Sequence, residues 1–489
     1  MNLAEQAQWH RARAAFQRHW GYADFRPPQG EIITSLLNRR DALVILPTGG
    51  GKSVCFQLPA LLQTGLTLVV SPLVALMENQ VRELRQRHLP AAQFHSEVPA
   101  QQRQQTLRAL EQGQLRLLYL SPESLLSEAI WQRLCEPKLE INGLVLDEAH
   151  CLVQWGETFR PAYRRLGAVR PALLRSKPAG SRIAIAAFTA TADPQTQRTI
   201  QAVLGLEQPD CFRFSPYRPN LNLQVQTAWT PWGRRQQLLK LIYAHSQQTG
   251  LIYTRSRRDA ESLATWLSEQ GYQTAAYHAG LGPEARRLIE ANWLQGEMPF
   301  VVCTCAFGMG INKPDCRWVA HFHPPLTLSE YIQEIGRAGR DGKRAIALTL
   351  MSEPTGWLDP EDQQRRRFFV ESLRSQQQAA QRLGQKLPAQ GSVQAVVRQF
   401  KDGAVALALL HATGQLTWHD PFHYSLRQSG GPPGTQLNDA AVQSMTKYLS
   451  TRQCRWQFLL QAFGFAAEAK TLHCGHCNNC LKNVSTKAT

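Results

Sequence analysis

The chain has 489 residues, 43% of them hydrophobic and 19% charged, a balance that suits two to four globular domains and excludes disorder over most of its length. Lys and Arg number 54 against 37 Asp and Glu, and the resulting net charge of +17 favours a polyanionic partner, nucleic acid first among them. Residues 1–16 lack the apolar core of a signal peptide, and the most apolar stretch, Gly65–Met77, is too short to span a bilayer. An intracellular protein with no membrane partner is therefore expected.

From Ala42 to Ala192, apolar runs alternate with helical stretches: Ala42–Leu46, Leu66–Val70, Leu115–Leu120, Gly143–Leu146 and Ile183–Phe188. Each run ends in a polar or glycine-bearing turn, which predicts an α/β doubly wound parallel sheet with its functional loops at the carboxyl ends of the strands. The first run enters Leu46-Pro47-Thr48-Gly49-Gly50-Gly51-Lys52-Ser53. Backbone N–H groups of Thr48, Gly49, Gly50 and Gly51 can approach phosphate oxygens at a helix N-terminus. Lys52 would reach the β- and γ-phosphates of ATP, and the Ser53 hydroxyl would hold Mg²⁺. Leu46 stands where the strict form of this pattern has glycine.

The fourth run ends in Asp147-Glu148-Ala149-His150. Asp147 would orient Mg²⁺ and Glu148 would position or deprotonate an attacking water; capping the next helix is the plainer role for the same pair. A second series follows at Gly250–Thr254, Gln273–His278, Phe300–Thr304, Trp318–Phe322 and Ala345–Leu350, with no phosphate loop. Two such lobes, only one of them carrying the loop, suggest a nucleotide clamped where they meet. The second lobe supplies Gln333–Arg340, in which Arg337 and Arg340, three apart, are expected on one helix face as arginine fingers.

Beyond Leu350 the composition shifts. Pro360–Leu383 reads as a polar helix rich in arginine and glutamine, and Leu387–Ser392 and Ser429–Thr435 bracket a small insert. Inside it, Val393, Val396, Val397 and Phe400 keep helical spacing behind Ser392 as N-cap, and a second apolar helix runs from about Gly403 to Thr413. Gln415–Trp418 and Phe422–Leu426 then read as a hairpin. Two helices and a hairpin suggest a reduced winged helix, with an ordinary packing insert as the alternative. Near the C-terminus stand Cys454, Cys474, Cys477 and Cys480. Four thiolates suit closed tetrahedral Zn²⁺ coordination of a structural kind, with a redox Cys-x-x-Cys as the rival reading.

These residues resemble RecQ-type DNA helicases of superfamily two, from about Phe16 to Gly342 and again over Cys454–Cys480. The supporting strings are Phe25-Arg26-Pro27-Pro28-Gln29, PTGGGKS, VVSPLVALMENQV (Val69–Val81), LYLSPESL (Leu118–Leu125), DEAHC (Asp147–Cys151), FTATA (Phe188–Ala192), YHAGL (Tyr277–Leu281), AFGMGINKPD (Ala306–Asp315) and QEIGRAGRDG (Gln333–Gly342). The resemblance implies two RecA-like lobes, ATP hydrolysis and 3′-to-5′ translocation on single-stranded DNA in repair and recombination. It implies that Gln29 reads adenine with Tyr22 or Arg26 packing on the base, and that Gly310 contacts the nucleotide. The segment after DEAHC, with Trp155, Phe159 and Arg160, looks like the family's aromatic-rich loop; aromatic faces stack on bases whatever their sequence. Here the chain departs from the family: Glu157-Thr158 replaces His-Asp, Val153 replaces Ser, and Ser124 replaces Arg in the Pro-Glu-Arg-Leu string.

The resulting domain plan is 1–210 for the first RecA-like lobe, 211–352 for the second, 353–386 for the helical start of a zinc-binding module, 387–428 for a winged-helix-like insert and 429–489 for a linker and the four-cysteine module. In such an insert the hairpin would wedge a duplex junction, with Trp418, Phe422 or Tyr424 stacking on the terminal base pair. The expected partners are single-stranded DNA and duplex junctions, met by a monomer. The expected location is cytoplasmic at a bacterial nucleoid, or nuclear or organellar in a eukaryote. An RNA helicase of the same superfamily and a DNA-annealing scaffold with weak ATPase activity stay open as alternatives.

Overall fold

A computed structural model describes residues 3–47, 49–153, 160–307, 311, 313–427 and 439–485. The chain forms two compact units, one built from residues 1–46, 50–214 and 372–437, the other from 47–49, 215–371 and 438–489.

The first unit is built on strands β1 (Ala42–Ile45), β2 (Leu66–Val70), β3 (Ala91–Phe94), β4 (Leu117–Leu120), β5 (Ile141–Leu146), β6 (Ala184–Thr189) and β7 (Asp210–Arg213). They form one parallel sheet in the order β3-β4-β2-β5-β6-β1-β7. Five of them fall on the predicted apolar runs. The two unpredicted strands sit at the edges, where burial on both faces is not needed: β7 exposes alternate residues, and β3 is Ala-Ala-Gln-Phe. At the base of the sheet, buried Asp41 accepts from Arg170 at 2.7 and 2.9 Å, from the Ile185 N–H at 2.8 Å and from the Glu207 N–H at 2.7 Å. A buried carboxylate so fully satisfied fixes the entry to β1, and hence the start of the phosphate loop.

The first unit also holds a small domain: β14 (Gln390–Ser392), two helices (Val393–Gln399 and Gly403–Ala412), β15 (Leu416–Asp420) and β16 (His423–Leu426). Between the two sheets named so far in chain order lie β8 (Leu221–Ala228), β9 (Gly250–Tyr253), β10 (Ala276–Tyr277), β11 (Phe300–Cys303), β12 (Trp318–His321) and β13 (Ala345–Ser352) of the second unit. In the small domain an antiparallel sheet runs β14-β16-β15, and Ser392 caps its helix by accepting from the Ala395 N–H at 3.2 Å. Val393, Val396, Leu407, Leu410, Leu416 and Tyr424 make its core, and Ala380 and Leu383 from the end of the Glu361–Gly384 helix pack against Ala406 and Leu409. A helix, strand, two helices and hairpin make a winged helix with a third strand, fuller than the reduced form expected. The domain plan changes too: 372–437 groups with the first lobe rather than leading into the cysteine module. Apolar contacts to that lobe, argued below, are the physical reason.

The second unit carries a six-stranded parallel sheet in the order β10-β11-β9-β12-β13-β8. Its edge strand β8 was not predicted, because alternate residues along it are only half-buried. The C-terminal helices Ala440–Ser450 and Arg455–Ala462 pack on this lobe. Trp456 Nε1 donates to the Leu221 carbonyl at 3.1 Å, Asn478 Nδ2 to that of Val225 at 3.2 Å, and the Tyr448 hydroxyl meets that of Tyr331 at 2.8 Å.

Candidate functional site

At the carboxyl end of β1, the chain turns through Gly49 (φ +84°) and Gly51 (φ +72°) into the Lys52–Leu62 helix. Both lie in the left-handed region, which suits glycine. A side chain on Gly51 would put its Cβ 2.2 Å from Gln29 Nε2. Gln29 is buried, its Oε1 accepts from the Arg26 N–H at 3.0 Å, and its Nε2 donates to the Gly50 carbonyl at 3.5 Å. Tyr22 and Arg26 beside it are exposed, so both offer their side chains to a base. Thr48 lies outside the described residues, as do Gly310, Trp155, Phe159 and the Glu157-Thr158 replacement.

Lys52 and the acidic pair meet as expected. Lys52 Nζ lies 3.6 Å from Glu148 Oε1 and, though buried, makes no hydrogen bond among the described residues. A buried ammonium in that state fits a phosphate oxygen. The Asp147 N–H donates to the Val70 carbonyl at 2.8 Å, which ties the acid to the sheet. Burial, and then the neighbouring Glu148, push the Asp147 carboxyl up to about 7. A divalent cation would reverse that shift, so the donor set suits Mg²⁺. Glu148 itself is left-handed at φ +50°, a strained position for a residue with a Cβ. His150 Nδ1 stands 3.3 Å from Glu148 Oε2 and 2.9 Å from Thr189 Oγ1, so the DEAH turn is tied to the FTATA turn at the end of β6.

In the second unit, the Leu328–Ile335 helix ends before the two arginines. Arg337 and Arg340 lie in the turn after it, not on a helix face as expected. Gly336 caps the helix, and left-handed Gly339 (φ +59°) follows, where a Cβ would meet Asn220 Nδ2 at 2.6 Å. Arg340 donates to the Ile311 carbonyl at 2.8 Å; burial, and then Arg337, lower its guanidinium to about 9. Glu334 was missed: it pairs with Arg255 at 2.7 Å and lies 3.1 Å from His321 Nε2, all three buried or nearly so. A carboxylate inside an apolar helix stretch, Tyr331-Ile332-Gln333-Glu334-Ile335, was the available signal.

The sulfur atoms of Cys454, Cys474, Cys477 and Cys480 all lie within 4.8 Å of one another. Cys454 Sγ accepts from the Cys474 N–H at 3.4 Å, Cys474 Sγ from the Cys477 N–H at 3.3 Å, and Cys477 Sγ from the Arg455 N–H at 3.5 Å. Backbone donors aimed at sulfur suit thiolates, and four in this spacing fit a tetrahedral Zn²⁺.

Three family profiles match the chain: DEAD/DEAH box helicase over 26–200, helicase conserved C-terminal domain over 233–342, and RecQ zinc-binding over 424–481. The ATP-dependent DNA helicase RecQ of Synechocystis is 54% identical over 96% of this chain and 97% of its own length. The chain belongs to the RecQ family of DNA helicases. The RecQ helicase of Haemophilus influenzae is 40% identical, and the match takes in 69% of the present chain but 53% of that relative, so the shared part is about half of it. Among solved structures, Saccharomyces cerevisiae Dbp5 bound to RNA and ADP BeF3 matches with TM-score 0.56 at 15% identity, over 72% of this chain and 88% of Dbp5. Mycobacterium smegmatis Lhr bound to ssDNA and AMP-PNP matches with TM-score 0.56 at 18% identity, over 91% and 62%. At such identities they establish the two-lobed helicase fold alone.

The residues expected to touch DNA in this RecQ helicase are placed less simply. Arg160 pairs with Glu123 at 3.3 Å, both partly exposed. Tyr424 is fully buried in the winged-helix core, and Phe422 packs edge-on against Trp131 at 5.1 Å. Trp418 is half-buried beside His411, ring centroids 5.7 Å apart. None of the three presents a free ring face for a terminal base pair, because the hairpin turns inward onto the first lobe.

Proposed function

We propose that this chain hydrolyses ATP with Mg²⁺ and uses the cycle to move 3′-to-5′ along single-stranded DNA, opening duplex ahead of it in repair and recombination. The observation that carries this reading is the meeting of Lys52 with Glu148 beneath the Gly49–Gly51 turn, next to buried Asp147 and Gln29. Lys52 and the loop N–H groups would hold the phosphates, while Ser53 and Asp147 would hold Mg²⁺, which supplies charge neutralisation at the γ-phosphate. Glu148 would accept the proton of the attacking water. His150 holds Glu148 in place and reports its state to Thr189. Gln29 would read the adenine edge, having both an acceptor and donors to offer, with Tyr22 or Arg26 over the base. Arg337 and Arg340 would meet the developing phosphate charge. The four cysteines would hold a structural Zn²⁺.

The test is DNA-stimulated ATP turnover by wild type and by Lys52→Ala, followed by strand displacement on 3′-tailed, 5′-tailed and forked DNA with RNA controls. Turnover by wild type, its loss in the variant, and displacement confined to DNA with a 3′ tail are expected. A wild type that hydrolyses no ATP in the presence of DNA would defeat the reading.

A further inference from the structure

In helix-turn-helix folds the second helix of the pair reads DNA. In this winged helix that helix is Gly403–Ala412, and it is spent elsewhere. Its sequence, Gly-Ala-Val-Ala-Leu-Ala-Leu-Leu-His-Ala, carries no lysine or arginine, and most of it is buried. It packs on the 3-10 helix Pro161–Ala168 of the first lobe. The hairpin is held down as well. Arg165 donates to the Pro421 carbonyl at 3.1 Å, Arg175 to the His419 carbonyl at 3.1 Å, and Phe422 seats on Trp131. Both surfaces a winged helix would ordinarily turn towards DNA thus face the protein.

The opposite side has another character. From Ser372 to Lys401 the chain contains no Asp or Glu, while Arg374, Arg382, Lys386, Arg398 and Lys401 are all exposed. Arg374, Gln378 and Arg382 follow one another at four-residue steps along the Glu361–Gly384 helix, on one side of it. Arg398 and Lys401 come from the Val393–Gln399 helix and the turn after it. None of the five holds an ion pair among the described residues, whereas Arg365, earlier in the same long helix, is paired with Asp259 at 2.8 Å. Unpaired cations interleaved with glutamines match a row of phosphates: the cations neutralise charge, and the amides donate to phosphate oxygens without reading bases.

We propose that this acid-free face of the winged helix, rather than its second helix or its hairpin, docks the sugar–phosphate backbone of duplex DNA. The proposal rests on the helicase reading above. It assigns the insert the duplex side of the junction, while the first lobe supplies its rigid mount.

The test combines Arg374→Gln, Arg382→Gln, Lys386→Gln and Arg398→Gln in the full chain, with a thermal melt to establish folding. Binding of a blunt duplex and of a single strand is then measured from 50 to 200 mM salt. Loss of four phosphate contacts should flatten the duplex salt slope by about 3–4 units, at roughly 0.9 per phosphate. Duplex affinity should fall at least about tenfold at the low-salt end while single-strand affinity holds within about twofold. An unchanged duplex slope would leave this face to solvent or to a protein partner and overturn the proposal, as would equal losses for both DNAs. Arg165→Ala with Arg175→Ala, which frees the hairpin, should leave duplex affinity near wild type; a fall as large as the fourfold variant's would place the contact on the hairpin instead. The two readings fail separately. Absent ATP turnover in wild type defeats the helicase alone, and normal duplex binding by a fourfold variant of an active enzyme defeats this docking face alone.

Discussion

At the scale of single residues, the nucleotide end is built from positions that tolerate little change. Gly51 has no room for a Cβ because Gln29 fills the space, and its φ of +72° penalises any L side chain as well. Gly51→Ala is expected to displace Gln29 and raise KM for ATP at least about tenfold, with a melting temperature close to wild type, since the turn is local. ATP titration of the hydrolysis rate checks it. Asp41 shows the opposite case, a structural residue with no part in the chemistry. Asp41→Ala would strip Arg170 and two backbone N–H groups of their shared acceptor and leave a guanidinium buried without its charge partner. A loss of about 3–5 kcal/mol in urea unfolding is expected. Neither consequence shows in local sequence. Asp41 lies in an ordinary turn, and the clash at Gly51 exists only because residue 29 returns to it through the fold.

At the scale of elements, the winged helix and the cysteine module each carry a prediction. His411 lies on the Gly403–Ala412 helix; burial, then Arg164 and Arg427, lower its imidazole from 6.5 to about 3. The unfolded chain therefore binds a proton below about pH 6.5 that the folded insert refuses. Stability contributed by neutral His411 is present in full above that pH and is lost progressively as pH falls towards 3. His411→Gln should flatten the pH dependence of unfolding across this window, read by urea titrations at pH 7 and pH 5. In the cysteine module, chelating the metal should remove the restraint on the four sulfurs and melt the 440–485 helices first. Hydrogen exchange should then rise at Trp456 and along the Arg455–Ala462 helix, which that restraint holds against β8, while exchange in β1–β6 stays slow. Uniform exchange in both regions after chelation would refute a structural metal.

At the scale of the whole molecule, a net charge of +17 is spread over two lobes and an insert, and the arrangement of the insert could not be read from the chain. The nucleotide chemistry was legible, because the phosphate loop and the DEAH turn each follow a buried strand and need only local geometry to act. The central strands were legible for the same reason: parallel strands covered on both faces are continuous apolar runs, whereas edge strands β3, β7 and β8 lack that signature. The four cysteines announced themselves by spacing. Motif order along the chain, then, already specified an ATP-driven helicase of RecQ type with a metal-binding tail. Tertiary packing alone decided that Arg337 and Arg340 sit in a turn held by Gly339, that Tyr424 is core and not wedge, and that the insert belongs to the first lobe. Those outcomes depend on which apolar faces find each other across more than two hundred residues, as Phe422 finds Trp131 and Arg165 finds Pro421. A pattern of periodicity shows that a face will be buried; only the fold determines what buries it, and so which face remains for DNA.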